Sequence, residues 1–151
     1  HDVIEHIEDK ATFLFNLPKY TKPGGLIFMS FPAWQMPFGG HQQICKSKTI
    51  SHVPFIHLLP AFMYKSILKM SGENEDCIKE LLSIKETRPP IELFERLVRK
   101  NHITVVDRQL FFINPHYEVK FGLTPRKQSA IIAGIPYLRN LFTTSCFYIL
   151  K

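Results

Sequence analysis

The sequence is poor in everything that would make it other than one ordinary folded domain. Its three cysteines, Cys45, Cys77 and Cys146, are odd in number and widely separated, and none sits in a C-x-x-C pair. That excludes a disulfide-rich scaffold and a zinc motif legible from spacing, and it predicts reduced thiols in a cytoplasmic protein. Long apolar runs are also missing. The strongest, Val53 to Met63, is interrupted by Pro54, His57 and Pro60 and falls well short of the ~20 residues that cross a bilayer, so no membrane span is expected. Low-complexity tracts and internal repeats are absent. No basic-then-apolar leader follows His1, and the first residue is not Met, which predicts either that something upstream was removed or that the chain is a fragment.

What is there suits a globular domain. With 151 residues, 45% of them hydrophobic and 21% charged, the chain can bury roughly two thirds of its unfolded surface and needs no covalent staples. Nineteen Lys and Arg against 13 Asp and Glu leave a formal charge of +6. These bases are dispersed, as at Lys46 and Lys48, Arg96, Arg99 and Lys100, and Arg126 and Lys127. Dispersed charge reads as solvated faces, and a nucleic-acid partner would call for a clustered stripe or a known motif.

Periodicity predicts alternating helices and strands. After acidic Glu8 and Asp9, residues Ala11, Phe13, Leu14, Phe15 and Leu17 recur at near-helical spacing, and the helix should stop before Lys22-Pro23-Gly24-Gly25. Leu26 to Phe31 is apolar on both faces, which predicts a buried strand of a parallel sheet. The Pro, Gly, Trp and Phe of residues 32–40 make a loop at that strand's carboxyl end, where open α/β sheets bind ligands. Ser51 to Met70 reads as helix broken at Pro54 and Pro60, and Ser71 to Asn74 as a turn. Two amphipathic helices follow, one carrying Cys77, Ile78, Leu81 and Leu82, the other Ile91, Phe94, Leu97 and Val98 behind Pro89-Pro90. Ile103 to Ile113 predicts one long or bulged strand around Asp107-Arg108-Gln109. A short helix broken at Pro136 and a last strand over Thr143 to Leu150 complete the chain.

Two segments in this order and spacing carry a resemblance. Asp2-Val3-Ile4-Glu5-His6-Ile7, then a helix, then Lys22-Pro23-Gly24-Gly25 running into Leu26 to Phe31 and Pro32, resemble the middle of class I S-adenosylmethionine-dependent methyltransferases, in the group that includes the ubiquinone-biosynthesis O-methyltransferases. The resemblance implies an α/β fold, the carboxyl-terminal half of a Rossmann-like sheet. A final antiparallel strand pair, Ile103 to Ile113 with Thr143 to Leu150, would close it. The segment from about 50 to 90 would be a helical insertion, acting as a lid over the acceptor, as a bundle burying its own Phe and Leu residues, or as a dimer surface. The glycine-rich loop and the ribose-binding carboxylate that hold most of the cofactor in that family have no match in this chain.

By position, the resemblance places His1, Asp2 and Val3 beside the methionine part of S-adenosylmethionine and turns His6 toward the substrate. Methyl transfer to oxygen or nitrogen needs the acceptor lone pair in line with the methyl group and a base for the proton, and imidazole is the side chain that titrates nearest neutral pH. An imidazole that merely caps the next helix is the other reading of His6. His41, in Phe38-Gly39-Gly40-His41, is the second catalytic candidate, and the preceding glycines let its loop fold back toward the active face. Some members of the family hold a divalent cation with an acidic-x-x-Glu-His pattern and a later His, which here would be Asp2, Glu5, His6 and His41. A loop His that only hydrogen-bonds is the alternative. Trp34, Met36 and Phe38 are candidates for an acceptor pocket or for plain packing beneath the loop.

The function expected from the resemblance is methyl transfer to a small-molecule or glycan acceptor. The rival expectation is a non-catalytic interaction module, a methyltransferase half that folds with a partner or as an exchanged homo-oligomer through an apolar sheet edge.

Overall fold

The computed structural model describes residues 3–151, and His1 and Asp2 lie outside the described residues. A first 3-10 turn, Ile4–His6, leads into α1 (Lys10–Asn16), which continues as a 3-10 turn over Leu17–Tyr20. Asp9 is its N-cap and accepts the Thr12 N–H at 2.9 Å, as the acidic start of this segment predicts. Leu14 is fully buried and Phe13 and Leu17 pack beside it, whereas Phe15 points to solvent, one residue around the helix from the expected face.

Strand β1 (Ile27–Phe31) leads into the predicted loop. The broken helix appears as α2 (Lys48–His52), a 3-10 turn (Ile56–Leu58) and α3 (Ala61–Met70), with Pro60 as the N-cap of α3. Helices α4 (Glu75–Thr87) and α5 (Ile91–Lys100) match the two amphipathic segments. Strand β2 (Val105–Ile113) is the expected long strand, with its register shifting between Val105 and Asp107. Then come α6 (His116–Phe121) and β3 (Arg126–Lys127), both unanticipated, followed by α7 (Ala130–Ala133) and α8 (Leu138–Leu141) around Pro136, and β4 (Ser145–Leu150).

The sheet order is β1-β4-β2-β3, and every pairing is antiparallel. The expected antiparallel pair is therefore present: β2 and β4 align Leu110 with Cys146 and Gln109 with Phe147. Among the described residues, the parallel setting expected of β1 is not found. β4 enters between β1 and β2, so those two strands run in the same direction without touching, and β1 pairs Ile27 with Leu150 and Phe31 with Cys146. Met29, Ser30 and Phe31 are buried, but Leu26 and Phe28 face outward, so the strand is enclosed only at its carboxyl end.

Two apolar cores result. One lies beneath the sheet, where Phe31, Phe94 and Tyr148 pack ring against ring with α5, Leu14 and Ile4. The other belongs to the helical segment and gathers Cys45, Ile50, Ile56, Tyr64, Leu68, Ile78 and Leu81. The segment thus buries its own apolar side chains, and α4 also packs on the Ile4–His6 turn. No helix among the described residues is long and apolar enough to cross a membrane.

A charged network ties α5 to the sheet. The Arg139 guanidinium, nearly enclosed, donates to Glu92 at 2.9 Å and to Glu95 at 2.8 Å. Glu95 also accepts from Arg108 and from the Tyr148 hydroxyl, both at 2.9 Å, while Asn140 links Glu92 to the Ile91 N–H. Burial alone would raise both carboxyls. In Glu92 the hydrogen bonds from Tyr137, Asn140 and Arg139 outweigh it, and in Glu95 those from Arg108, Arg139 and Tyr148 do, so both titrate below their usual value. Removing one member strands the others inside. We expect Arg139→Met to lower unfolding free energy by about 3 to 5 kcal/mol in urea. Because the two carboxyls are depressed, their contribution is full above the ordinary Glu value of 4.5 and is lost as pH falls through their folded values. Acid titration of unfolding should therefore show a smaller loss in the variant than in the parent.

Candidate active site

The loop after β1 is shaped by two close approaches. A Cβ on Gly39 would collide with the Trp34 carbonyl, and one on Gly40 with the His57 side chain, so only glycine lets the loop double back here. The fold-back expected from these glycines is observed. It ends at His41, which holds a left-handed φ of 56° and caps the 3-10 turn Gln42–Ile44. Buried Gln42 secures the loop by donating to the Pro37 and Val53 carbonyls at 3.3 and 3.2 Å.

Folding back brings the two catalytic candidates together. The His6 and His41 rings lie edge to face with centroids 5.9 Å apart, although one comes from the first turn and the other from the loop beyond β1. His6 is exposed, and the turn that carries it is pinned by Ile4 in the core and by the His6 N–H donating to the Val3 carbonyl at 3.0 Å. Val3, of the cofactor-side candidates the one described, is exposed on the same turn.

His41 stands on the wall of a largely apolar cleft of about 720 Å³. Met36 and Phe38 line it, and so do Ser51 of α2 and Tyr117 and Phe121 of α6. Trp34 does not. It is buried beneath the loop, edge-on to His57, with the Lys85 ammonium and the Arg88 guanidinium 5.1 and 4.9 Å from its ring, so its role is packing and cation binding. Sequence reasoning missed Tyr117 and Phe121. Their i, i+4 spacing between Pro115 and Gly122 was the available signal, and their rings meet at 5.3 Å.

Of the cation set expected from the resemblance, only Glu5, His6 and His41 fall among the described residues. Adjacent residues of a 3-10 turn project about 120° apart, so Glu5 turns inward toward Lys10 while His6 turns out. Among the described residues, Glu5, His6 and His41 do not place three ligand atoms together; Cys45, Glu73 and Cys77 do. Asp2 lies outside the described residues.

Behind the loop, His57 is a structural support. Its Nε2–H donates to the Trp34 carbonyl at 2.8 Å, and its own carbonyl accepts from Lys85 Nζ at 2.7 Å. Burial foremost, with Lys85 and His41 adding to it against the opposing Trp34 hydrogen bond, pushes its imidazole down to about 4. The chain shows no match to any family model, curated protein or solved structure with which it was compared.

Two measurements follow from this support. Unfolded His57 titrates near 6.5 and the folded residue near 4, so above pH 6.5 it is neutral in both states and costs nothing. As pH falls from 6.5 toward 4 the unfolded chain takes up the proton first, and stability should drop by about 3 kcal/mol from this residue. A His57→Asn variant should lack the early part of that descent in chemical denaturation. Gly40→Ala should cost about 1 to 3 kcal/mol by overpacking against His57, read by the same assay.

Proposed function

We propose that this chain is the acceptor-binding, carboxyl-terminal portion of an S-adenosylmethionine-dependent methyltransferase that acts on an oxygen or nitrogen of a small-molecule or glycan acceptor in the cytoplasm. The observation that carries it is His41 on the wall of an apolar cleft lined by Met36 and Phe38, with the exposed His6 ring packed edge to face against His41. An imidazole beside such a cleft is a group that could take an acceptor's proton. The mixed α/β architecture and the antiparallel β2–β4 pair are compatible with the Rossmann-like half that the resemblance implies.

In this reading the apolar part of the acceptor lies against Met36, Phe38 and Tyr117, which hold its hydroxyl or amine toward the imidazoles. S-adenosylmethionine, when bound, supplies an electrophilic methyl group on a positively charged sulfur. His6 would take the proton from the acceptor oxygen or nitrogen as that atom receives the methyl group. His41 orients the acceptor and the His6 ring. Exposed Val3, beside His6, fits a chain edge passing the methionine portion.

A second reading has an observation of its own. Among the described residues β1 pairs with β4 on one side and has no strand on the other, and Leu26 and Phe28 are exposed beside that open edge. An interaction module would use this edge to add a strand from another chain.

Calorimetry with S-adenosylmethionine and S-adenosylhomocysteine separates the two, run on this chain and on a version carrying whatever coding sequence lies upstream. Binding by either version, followed by methyl transfer to hydroxylated acceptors, supports the enzyme. His6→Ala should then lower kcat by about 10² to 10⁴ while cofactor affinity stays unchanged. Absence of binding in both versions removes the enzyme reading, and the edge-pairing module then predicts a concentration-dependent dimer in light scattering.

A further inference from the structure

The second core contains a group that the methyl-transfer reading does not use. Cys45 closes the 3-10 turn at the end of the cleft loop, Cys77 sits in the first turn of α4, and Glu73 lies in the corner between α3 and α4. Their ligand atoms, two Sγ and a carboxylate oxygen, all fall within 4.8 Å of one another. Gly72, at a φ of 78°, turns the chain sharply enough for the Glu73 N–H to bond the Leu68 carbonyl, which brings Glu73 back over the helix ends. Asn74 caps α4 by accepting the Cys77 N–H at 2.8 Å and fixes that residue's position. The Glu73 carboxylate accepts the Lys46 and Ser47 N–H groups at 3.1 and 2.9 Å, one on each oxygen, and keeps further lone pairs.

The structure assigns this cluster as a binding site for a thiophilic divalent cation, zinc above all, held by Cys45, Cys77 and Glu73. Tetrahedral zinc bound at about 2.0 to 2.3 Å sets its ligand atoms roughly 3.7 Å apart, so small side-chain rotations suffice to close the group on an ion. Two thiolates select zinc over magnesium or calcium, and three protein ligands leave the fourth position to water. A second feature points the same way. The Tyr64 hydroxyl, in the same core as Cys45 and Cys77, is fully buried without a hydrogen-bond partner. A metal-bound water or thiolate supplies the acceptor that this O–H lacks. The charged or titratable groups facing the cluster are Lys46, Tyr64 and Glu80. Free thiols are mostly protonated at neutral pH and bind metal as thiolates, so binding displaces about two protons and weakens as pH falls. The bound ion would clamp the end of the cleft loop, next to Ile44 and Gln43 in the cleft wall, to the α3–α4 corner. This assignment stands apart from the methyl-transfer reading, since none of its ligands lines the cleft.

The test titrates Co2+ into the full chain, stripped with chelator and kept reduced, and then displaces it with Zn2+. One Co2+ per chain, a near-ultraviolet thiolate-to-cobalt band that Zn2+ abolishes, and release of about two protons per Zn2+ at neutral pH are expected. Cys45→Ala and Cys77→Ala should each weaken binding by at least ~10-fold, while Cys146→Ala leaves it unchanged. The wild-type titration decides the matter even if a variant folds poorly. No stoichiometric thiolate band, a band that survives the Cys45→Ala, Cys77→Ala double variant, or a Cys45–Cys77 disulfide recovered in place of bound metal would overturn the assignment.

Discussion

Strand β4, the last element of the chain, runs down the middle of the sheet, and the rest of the molecule is arranged around that insertion. It pairs β1 along one edge and β2 along the other, and it contributes Cys146, Tyr148 and Leu150 to the core from alternate positions. Without it β1 and β2 have no common neighbour, and the site loop that leaves β1 has no fixed base. An interior strand is thus supplied by the far end of the sequence from its neighbour β1, so the fold depends on contacts of high sequence separation.

The charged network on α5 makes that closure specific. Tyr148, on β4, hydrogen-bonds Glu95, and Arg139, in the connection just before β4, bonds Glu92 and Glu95. A purely apolar contact between α5 and the sheet would tolerate sliding. Hydrogen bonds among nearly enclosed charges tolerate little, because any shift leaves a buried charge unpaired. The same helix presents Phe94 to Phe31 and Tyr148, so register and packing are set together.

The site is built on this base by opposed demands on one loop. Gly39 and Gly40 let the backbone press against Trp34 and His57, and Trp34 in turn lies against two cations from the α4 end. The loop is therefore rigid where it is buried and presents His41, Met36 and Phe38 at the cleft. α4 packs on the turn that carries His6, so the helical segment supports both sides of the histidine pair. In that sense the segment is part of the site's scaffold and buries a core of its own.

Local chemistry was sufficient to read most elements from the sequence. The acidic helix start at Glu8 and Asp9, Pro54 and Pro60 as breaks, the turn over Ser71 to Asn74 and the β-branched run ending in Ile113 act within a few residues, so their signals are local. His6, His41, Met36 and Phe38 were legible as candidates, and the glycines before His41 announced the fold-back. Tertiary structure alone decided what those residues meet. Strand direction depends on which strand fills the gap beside β1, and the apolar face of Leu26 to Phe31 reads the same for a parallel or an antiparallel neighbour. Trp34 and Met36 are alike in sequence terms, yet one packs under two cations and the other lines the cleft. Glu5 and His6 are adjacent, and a 3-10 turn sends them to opposite environments. Cys45 and Cys77 carried no metal spacing because their approach is made by the Gly72 corner and two separate elements, and such proximity is a property of the folded chain.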